Sequence, residues 1–195
     1  MGRRIVIGLL IGIVALFGIT KLFNPKPYAQ PTTKVASATD PGEEWRDFRP
    51  RSGLFSISLP TIPQHASETA TMPATNEKIV YDIYLAQMRS GTTFLINVIQ
   101  YPPTVDTTHP DVLMENAIKD MQTSNPAKKL LGTQNGTFQE CPYTDFTIGS
   151  PDAGIAGRVL LYNRSLYIVS VADRDTDVAK ATFRKVIDTF RLPSK

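Results

Sequence analysis

The sequence predicts an α+β protein, in which an N-terminal transmembrane helix precedes one α/β/α sandwich with a mostly antiparallel sheet. Three observations lead to this prediction. Residues 5–19 are an apolar run without a charged side chain. Several later segments have the apolar patterns of β-strands, and two others carry an apolar stripe at helical spacing. Strands that are apolar on both faces need a cover on each side, and two amphipathic helices can supply it.

The apolar run is the predicted membrane anchor, assigned to residues 1–23. It follows Arg3 and Arg4 and extends through Lys21, whose ammonium can reach the lipid headgroups, as far as Phe23. Nineteen residues from Ile5 onward give about 28 Å of helix, close to the hydrocarbon thickness of a bilayer. Because positive residues stay on the cytoplasmic side, we expect the rest of the chain outside the cytoplasm, in the periplasm or its equivalent.

Cleavage of this segment as a signal peptide is the alternative, and it would give a secreted chain. Neither of two candidate cleavage sites has the required form. Ala36-Ser37-Ala38 lies far beyond the apolar core, and Pro27-Tyr28-Ala29 has proline where a small residue is needed. An uncleaved signal anchor is therefore the preferred interpretation.

Residues 24–44 are predicted to be a disordered, proline-rich tether. They contain four prolines among Thr, Ser, Ala and Lys, and they hold too little apolar surface to offset the entropy of ordering. If largely extended, the tether would hold the following domain up to ~60 Å from the bilayer. Residues 45–193 then form one domain with a single core.

The charge of the chain argues against a nucleic-acid partner. The sequence pI is about 9.0. Once Arg3, Arg4 and Lys21 are set aside, however, the 21 basic residues fall to 18 and match the 18 acidic ones. The basicity belongs to the membrane flank, and the domain has no basic stripe.

Eight segments of the domain are predicted to be strands. Two pairs are separated by short turns at Arg89-Ser90-Gly91 and Asn163-Arg164-Ser165, which makes each pair an antiparallel hairpin. The predicted strands are Leu54–Leu59, Ile79–Met88, Thr93–Tyr101, Lys129–Gln134, Gly136–Gln139, Tyr143–Ile148, Val159–Tyr162 and Leu166–Ala172.

Two helices are predicted as covers for the sheet. The first begins at Pro110, and the second runs from Asp177 to Phe190 with Asp175 or Thr176 as its cap. Their apolar stripes recur every three to four residues. The stripes are Leu113, Met114, Ala117, Ile118 and Met121 in the first helix, and Ala179, Phe183, Val186, Ile187 and Phe190 in the second.

Two short segments resemble the PsbP-like superfamily. They are the opening Trp45 with Gly53-Leu54-Phe55-Ser56-Ile57-Ser58-Leu59-Pro60, and the closing Phe183 with Ile187-Asp188-Thr189-Phe190-Arg191-Leu192. The superfamily includes a photosystem subunit of the thylakoid lumen and exported bacterial proteins such as DcrB. The resemblance implies an α/β/α sandwich over residues 45–193 and a non-enzymatic accessory role, because members mostly act by docking to other proteins.

No residue is assigned to a catalytic, cofactor-binding or metal-binding site. His65, predicted in a loop, and His109, predicted at a helix start, have no metal-ligand spacing. Cys141 lies beside Glu140, which opposes thiolate formation, and a single cysteine excludes an internal disulfide.

Asp173, Asp175 and Asp177 match the start of a calcium loop, but Val178 replaces its glycine, so we interpret them as helix-capping residues. The sequons at Asn135 and Asn163 are expected at turns. Residues 149–157 lack a phosphate-loop lysine and are predicted to be a mobile loop that carries binding contacts.

The preferred hypothesis is therefore a membrane-tethered extracytoplasmic domain that binds a protein or an envelope component without catalysis. One alternative is an enzyme that brings Cys141 together with a histidine. Another is a structural envelope protein that oligomerises through Gly8 and Gly12, which have the GxxxG spacing of packed membrane helices.

Overall fold

A computed structural model of the chain describes residues 44–72 and 75–193. Paired β-strands organise this part of the chain. Seven strands form one antiparallel sheet in the order β3-β4-β5-β9-β8-β7-β6. They are β3 (Gln64–Thr71), β4 (Lys78–Gln87), β5 (Thr93–Gln100), β6 (Lys129–Phe138), β7 (Cys141–Gly149), β8 (Gly154–Tyr162) and β9 (Ser165–Asp173). Two short strands, β1 (Arg46–Phe48) and β2 (Ile57–Leu59), pair separately. The α+β prediction with a mostly antiparallel sheet is confirmed.

Two helices cover opposite faces of the sheet. Helix α1 (Pro110–Thr123) contributes its buried residues to one apolar cluster, and helix α2 (Thr176–Ile187) contributes to the other. Successive residues of β9 enter the two clusters alternately, since side chains of a strand point to opposite faces. The β1–β2 pair lies on the α2 face, where Phe55, Ile57 and Leu59 are buried.

Both predicted hairpins are confirmed. β4 and β5 pair from Gln87 with Thr93, and Gly91 adopts φ 99° in the turn. β8 and β9 pair from Tyr162 with Ser165, which leaves two turn residues in the left-handed region. These are Asn163 (φ 45°) and Arg164 (φ 60°). Both turns therefore have the backbone that closes an antiparallel pair tightly.

Several elements differ from the predictions. β1 and β3 were not predicted, and the strand predicted from Leu54 begins only at Ile57. The loop predicted for His65 is wrong, because His65 lies in β3, which pairs with β4 along its whole length. The turn predicted at Asn135 is wrong, because β6 is one continuous strand. Of the loop predicted over residues 149–157, only 150–153 lie outside strands. Helix α2 ends at Ile187, so Phe190 follows the helix rather than ending it.

The predicted anchor (residues 1–23), nearly all of the predicted tether (24–44) and the Gly8/Gly12 pair lie outside the described residues. Among residues 44–72 and 75–193, neither helix is long and apolar enough to cross a membrane.

Candidate docking surface

The two helices pack on the middle of the sheet and leave β6, at one of its ends, uncovered. α1 packs mainly on β7 and β8, whereas α2 packs mainly on β8 and β9. Beyond them lies β6, the last strand of the sheet. Its first seven residues, 129–135, are all exposed. Both faces of this strand are therefore open over most of its length.

The outer edge of β6 is also open, since no strand of the described residues pairs with it. An unpaired edge presents a row of backbone N–H and C=O groups that another chain can pair with. Natural edges are usually short or charged. β6 has ten residues and one charged side chain, Lys129, and its pairing with β7 is regular except for a register shift between Leu130 and Gly132.

Two leucines add apolar surface to this edge. Leu130 is 39% exposed and Leu131 is 58% exposed. Leu131 lies over Gly149 of β7, where a Cβ atom would come within 2.9 Å of the Leu131 Cδ1 atom. These adjacent leucines give the open strand an apolar surface that a partner chain can cover. We call β6 with these two leucines the β6 surface.

A groove of about 340 Å³ runs along the α2 face between β6, β7 and helix α2. Gly132 and Gln134 line it from the strand, and Lys180 and Arg184 line it from the helix. The Lys180 ammonium lies 3.2 Å from Asp177. Within the described residues, Arg184 has no ion pair. The groove wall therefore carries an uncompensated positive charge.

The other charges beside the groove neutralise each other. Arg158 of β8 is paired with Asp145 of β7 at 2.7 Å, and its guanidinium lies 3.6 Å above the centre of the Tyr143 ring. Tyr143 in turn covers Gly136 of β6, where a Cβ atom would be 2.4 Å from the tyrosine hydroxyl. The stacked Arg158 and Tyr143 side chains support β6 on the α2 face of the sheet. The Asp145 carboxylate is already bonded to Arg158 and does not neutralise Arg184.

A second cleft, of about 460 Å³, lies where the end of the chain meets β1 and β2. Its polar groups are largely bonded to one another. The Ser58 hydroxyl bonds to Asp47, and the Ser58 N–H donates to the Thr189 hydroxyl at 3.0 Å. Arg191 donates to the Asp188 carbonyl at 2.8 Å. We interpret this cleft as the junction that fixes the C-terminal segment on the fold.

The thiol and histidines singled out in the sequence are not brought together. His65 on β3 and Cys141 on β7 are five strand spacings apart, or about 24 Å. His65 is instead bonded to Asp82 at 3.0 Å and stacked on Tyr84. Cys141 packs on the α2 face, and His109 begins α1 on the opposite face. The proposed pairing of Cys141 with a histidine is therefore not formed.

The three aspartates act as the capping interpretation predicts. Asp175 is the N-cap of α2 and accepts from the backbone N–H groups of Asp177 and Val178. The Asp175 N–H in turn donates to Asp173, and this bond, with the Thr92 hydroxyl, holds the pKa of the Asp173 carboxyl below its usual range. Among the described residues, no group of three His, Cys, Asp or Glu is placed to hold a metal ion.

Sequence reasoning missed the β6 surface because β6 has a weak strand pattern. Two glycines and several polar residues interrupt it, and Asn135-Gly136 is typical of a turn. One signal was present: after Lys129, no charged residue follows until Glu140. Such a long uncharged segment, with two adjacent leucines at Leu130 and Leu131, lacks the charges that usually protect an edge strand.

A seven-stranded antiparallel sheet with one helix layer on each face defines the class of this domain as an α+β sandwich. No family model matches the sequence. No curated protein matches it either.

A solved structure identifies the fold more narrowly. The chain is similar to the solution structure of cyanobacterial PsbP (CyanoP) from Synechocystis sp. PCC 6803, with a TM-score of 0.53 and 8% sequence identity. The likeness covers 81% of this chain and 98% of that one. The domain therefore has the PsbP-like fold that the opening and closing segments indicated.

Proposed function

We propose that this chain is a non-catalytic accessory protein, held at the outer side of a membrane by residues 1–23, that docks to a partner protein through the β6 surface. The anchor and the tether hold the protein at the membrane, and the folded domain binds the partner protein.

One observation carries the docking proposal. β6 is open on its outer edge and on both faces over residues 129–135. β3, at the other end of the sheet, also has an unpaired outer edge, but its residues alternate between exposed and half-buried and it carries Glu68. An open edge of this length is a liability in an isolated protein, because it can pair with any extended chain. A binding function explains why it is kept free.

The PsbP-like fold supports the non-catalytic part of the proposal. Members of the superfamily that the sequence resembles mostly act by docking. The geometry agrees with this, because Cys141 and His65 lie about 24 Å apart across the sheet.

Site-specific crosslinking tests the docking surface. A photoreactive residue in place of Leu131 (58% exposed), introduced into the full chain in its native membrane, is expected to capture a partner protein. Ile62 is the matched control. It is 80% exposed and precedes β3, the strand at the opposite edge of the sheet. Capture from Ile62 but not from Leu131 would contradict the proposal.

Fractionation tests the anchor. We expect the full chain to stay in the membrane fraction after a carbonate wash, because a nineteen-residue apolar segment binds more firmly than surface charge. A reporter fused after Lys195 should be active only outside the cytoplasm. Recovery of a soluble chain that begins near Gln30 or Thr39 would show that the segment is cleaved and that the protein is secreted.

A further inference from the structure

We infer that the partner of the β6 surface is an extended segment that adds to β6 as an eighth strand and places an acidic side chain in the groove beside Arg184. This inference rests on the proposed docking function and specifies the chemistry of the partner.

The charge of the groove selects an acidic partner. Three charged residues line the groove: Lys180 and Arg184 are basic and Asp145 is acidic. Asp145 is already bonded to Arg158, and Lys180 is bonded to Asp177. Glu140 lies in the turn after β6 and does not line the groove. A carboxylate beside Arg184 would therefore meet net positive charge.

Gly132 connects the edge to the groove. It pairs with Thr147 on the α2 face of the sheet, and it lines the groove. A Cβ atom built on Gly132 meets nothing within 4 Å. The glycine thus leaves an open passage across the α2 face of β6, through which a side chain of an added strand can reach Arg184 and Lys180.

The backbone of β6 supplies hydrogen bonds to the partner segment, in addition to the charge of the groove. An added strand would lie about 4.8 Å from β6, bonded through alternate N–H and C=O groups. On its α2 face, every second side chain would point toward the groove. Leu131 would give apolar contact at the same edge. The partner segment is therefore expected to alternate, with Glu or Asp at the position opposite Gly132.

Selection of displayed random twelve-residue peptides on the full chain tests the inference. We expect the enriched peptides to be free of proline and to share an acidic position. Arg184→Glu should weaken their binding by at least about tenfold, because it reverses the charge they meet. Arg184 is exposed and outside the core, so this variant is expected to fold.

Gly132→Val tests the open passage more directly than Arg184→Glu does. Valine favours a strand and has open space here, so the thermal unfolding midpoint should not fall, yet the passage is filled and binding should be lost. Thr137→Val is the control, since Thr137 is exposed on the same strand, lies on its α1 face and does not line the groove. Enriched peptides that are neutral or basic, or that still bind the Gly132→Val variant, would overturn the inference.

Methylated peptides test the strand addition itself. An enriched peptide that carries N-methyl groups at every second residue should lose binding in one of the two frames and keep it in the other, because only alternate N–H groups face β6. Equal binding in both frames would overturn strand addition. Self-association of the full chain that is lost in Leu131→Lys would identify a second copy as the occupant and would also overturn the inference.

These outcomes separate the inference from the proposed function. If the photoreactive residue at position 131 captures a native protein while the selected peptides are not acidic, the proposed docking function is supported and the inference of an acidic partner is wrong. If Leu131 captures no protein and no peptide binds β6, both are wrong.

Discussion

Asp145 and Arg158 face each other directly across β7 and β8, and the Arg158 guanidinium donates to both carboxylate oxygens, at 2.7 and 2.9 Å. The Arg158 side chain is 11% exposed and the Asp145 side chain is 25% exposed. Two parallel bonds to a carboxylate fix the orientation of both groups. The pair therefore locks the two strands that support β6.

A double-mutant cycle should detect this coupling. With Asp145→Ala, Arg158→Ala and the double variant, we expect a coupling free energy of about 1–3 kcal/mol, from urea unfolding of the three proteins and the parent. The pair of Arg46 with Glu44 is the matched control, since its side chains are 71% and 78% exposed. Its coupling should be close to zero. Equal coupling in the two cycles would show that burial does not strengthen the Asp145 pair.

Phe190→Ala should destabilise the domain severely. Phe190 is 0% exposed and its ring lies 5.9 Å from that of Phe55 and 6.1 Å from that of Tyr167. Truncation of a buried phenylalanine typically costs ~3–5 kcal/mol, a large part of the stability of a domain. Val178→Ala is the control, because Val178 lies on α2 but is 44% exposed. Similar denaturation midpoints for the two variants would contradict the assignment of Phe190 to the core.

Gly154→Ala should also destabilise the fold, although it adds a single methyl group. A Cβ atom at Gly154 would lie 2.4 Å from the Cα atom of Thr176, so the start of α2 would have to move. Overpacking of this kind typically costs ~1–3 kcal/mol. Gly132→Ala should be neutral or stabilising, since nothing lies within 4 Å of its Cβ position. Thermal unfolding of the two variants checks the comparison.

Alkaline pH should weaken the fold through its buried tyrosines. Burial raises the pKa of Tyr167 to about 12, and its hydroxyl donates to the Leu54 carbonyl at 3.1 Å. Because the folded pKa lies above the unfolded value of ~10, the stabilisation is complete below pH ~10 and is lost as the pH rises toward the folded pKa. Burial raises the pKa of Tyr81 in the same direction.

Urea midpoints measured from pH 9 to pH 12 check this prediction. The advantage of the parent chain over Tyr167→Phe should shrink as the pH rises through this window, since phenylalanine cannot ionise. Tyrosinate absorbance should rise together with the loss of folded signal. A constant difference between the two proteins would mean that Tyr167 titrates equally in the folded and unfolded states.

The local periodicity of apolar residues was sufficient to predict the elements whose side chains contact the core at regular intervals. The β4–β5 hairpin followed from apolar residues on both faces and from the short turn at Gly91. The first helix followed from Pro110 and its apolar stripe. In each case the signal lies within one segment, so the sequence alone could show it.

Tertiary contacts decided the features that local patterns did not show. Gly154 and Gly157 have the composition of a loop, yet they lie in β8 because they pair with β7 and β9. Thr176 and the Phe146 ring occupy the space that a side chain would need at these two positions. His65 lies in a polar segment that becomes a strand only by pairing with β4.

The α+β class of the folded domain, both hairpins and the two covering helices could be predicted from the sequence alone, because the burial pattern of each is repeated within a few residues. Only the tertiary structure decided the order of strands, which places β9 between β5 and β8 and leaves β6 at the end. Strand order depends on pairings between residues far apart in the chain, such as Ile96 with Val169. No local period encodes such a pairing, so the open β6 surface became visible only when the sheet was assembled.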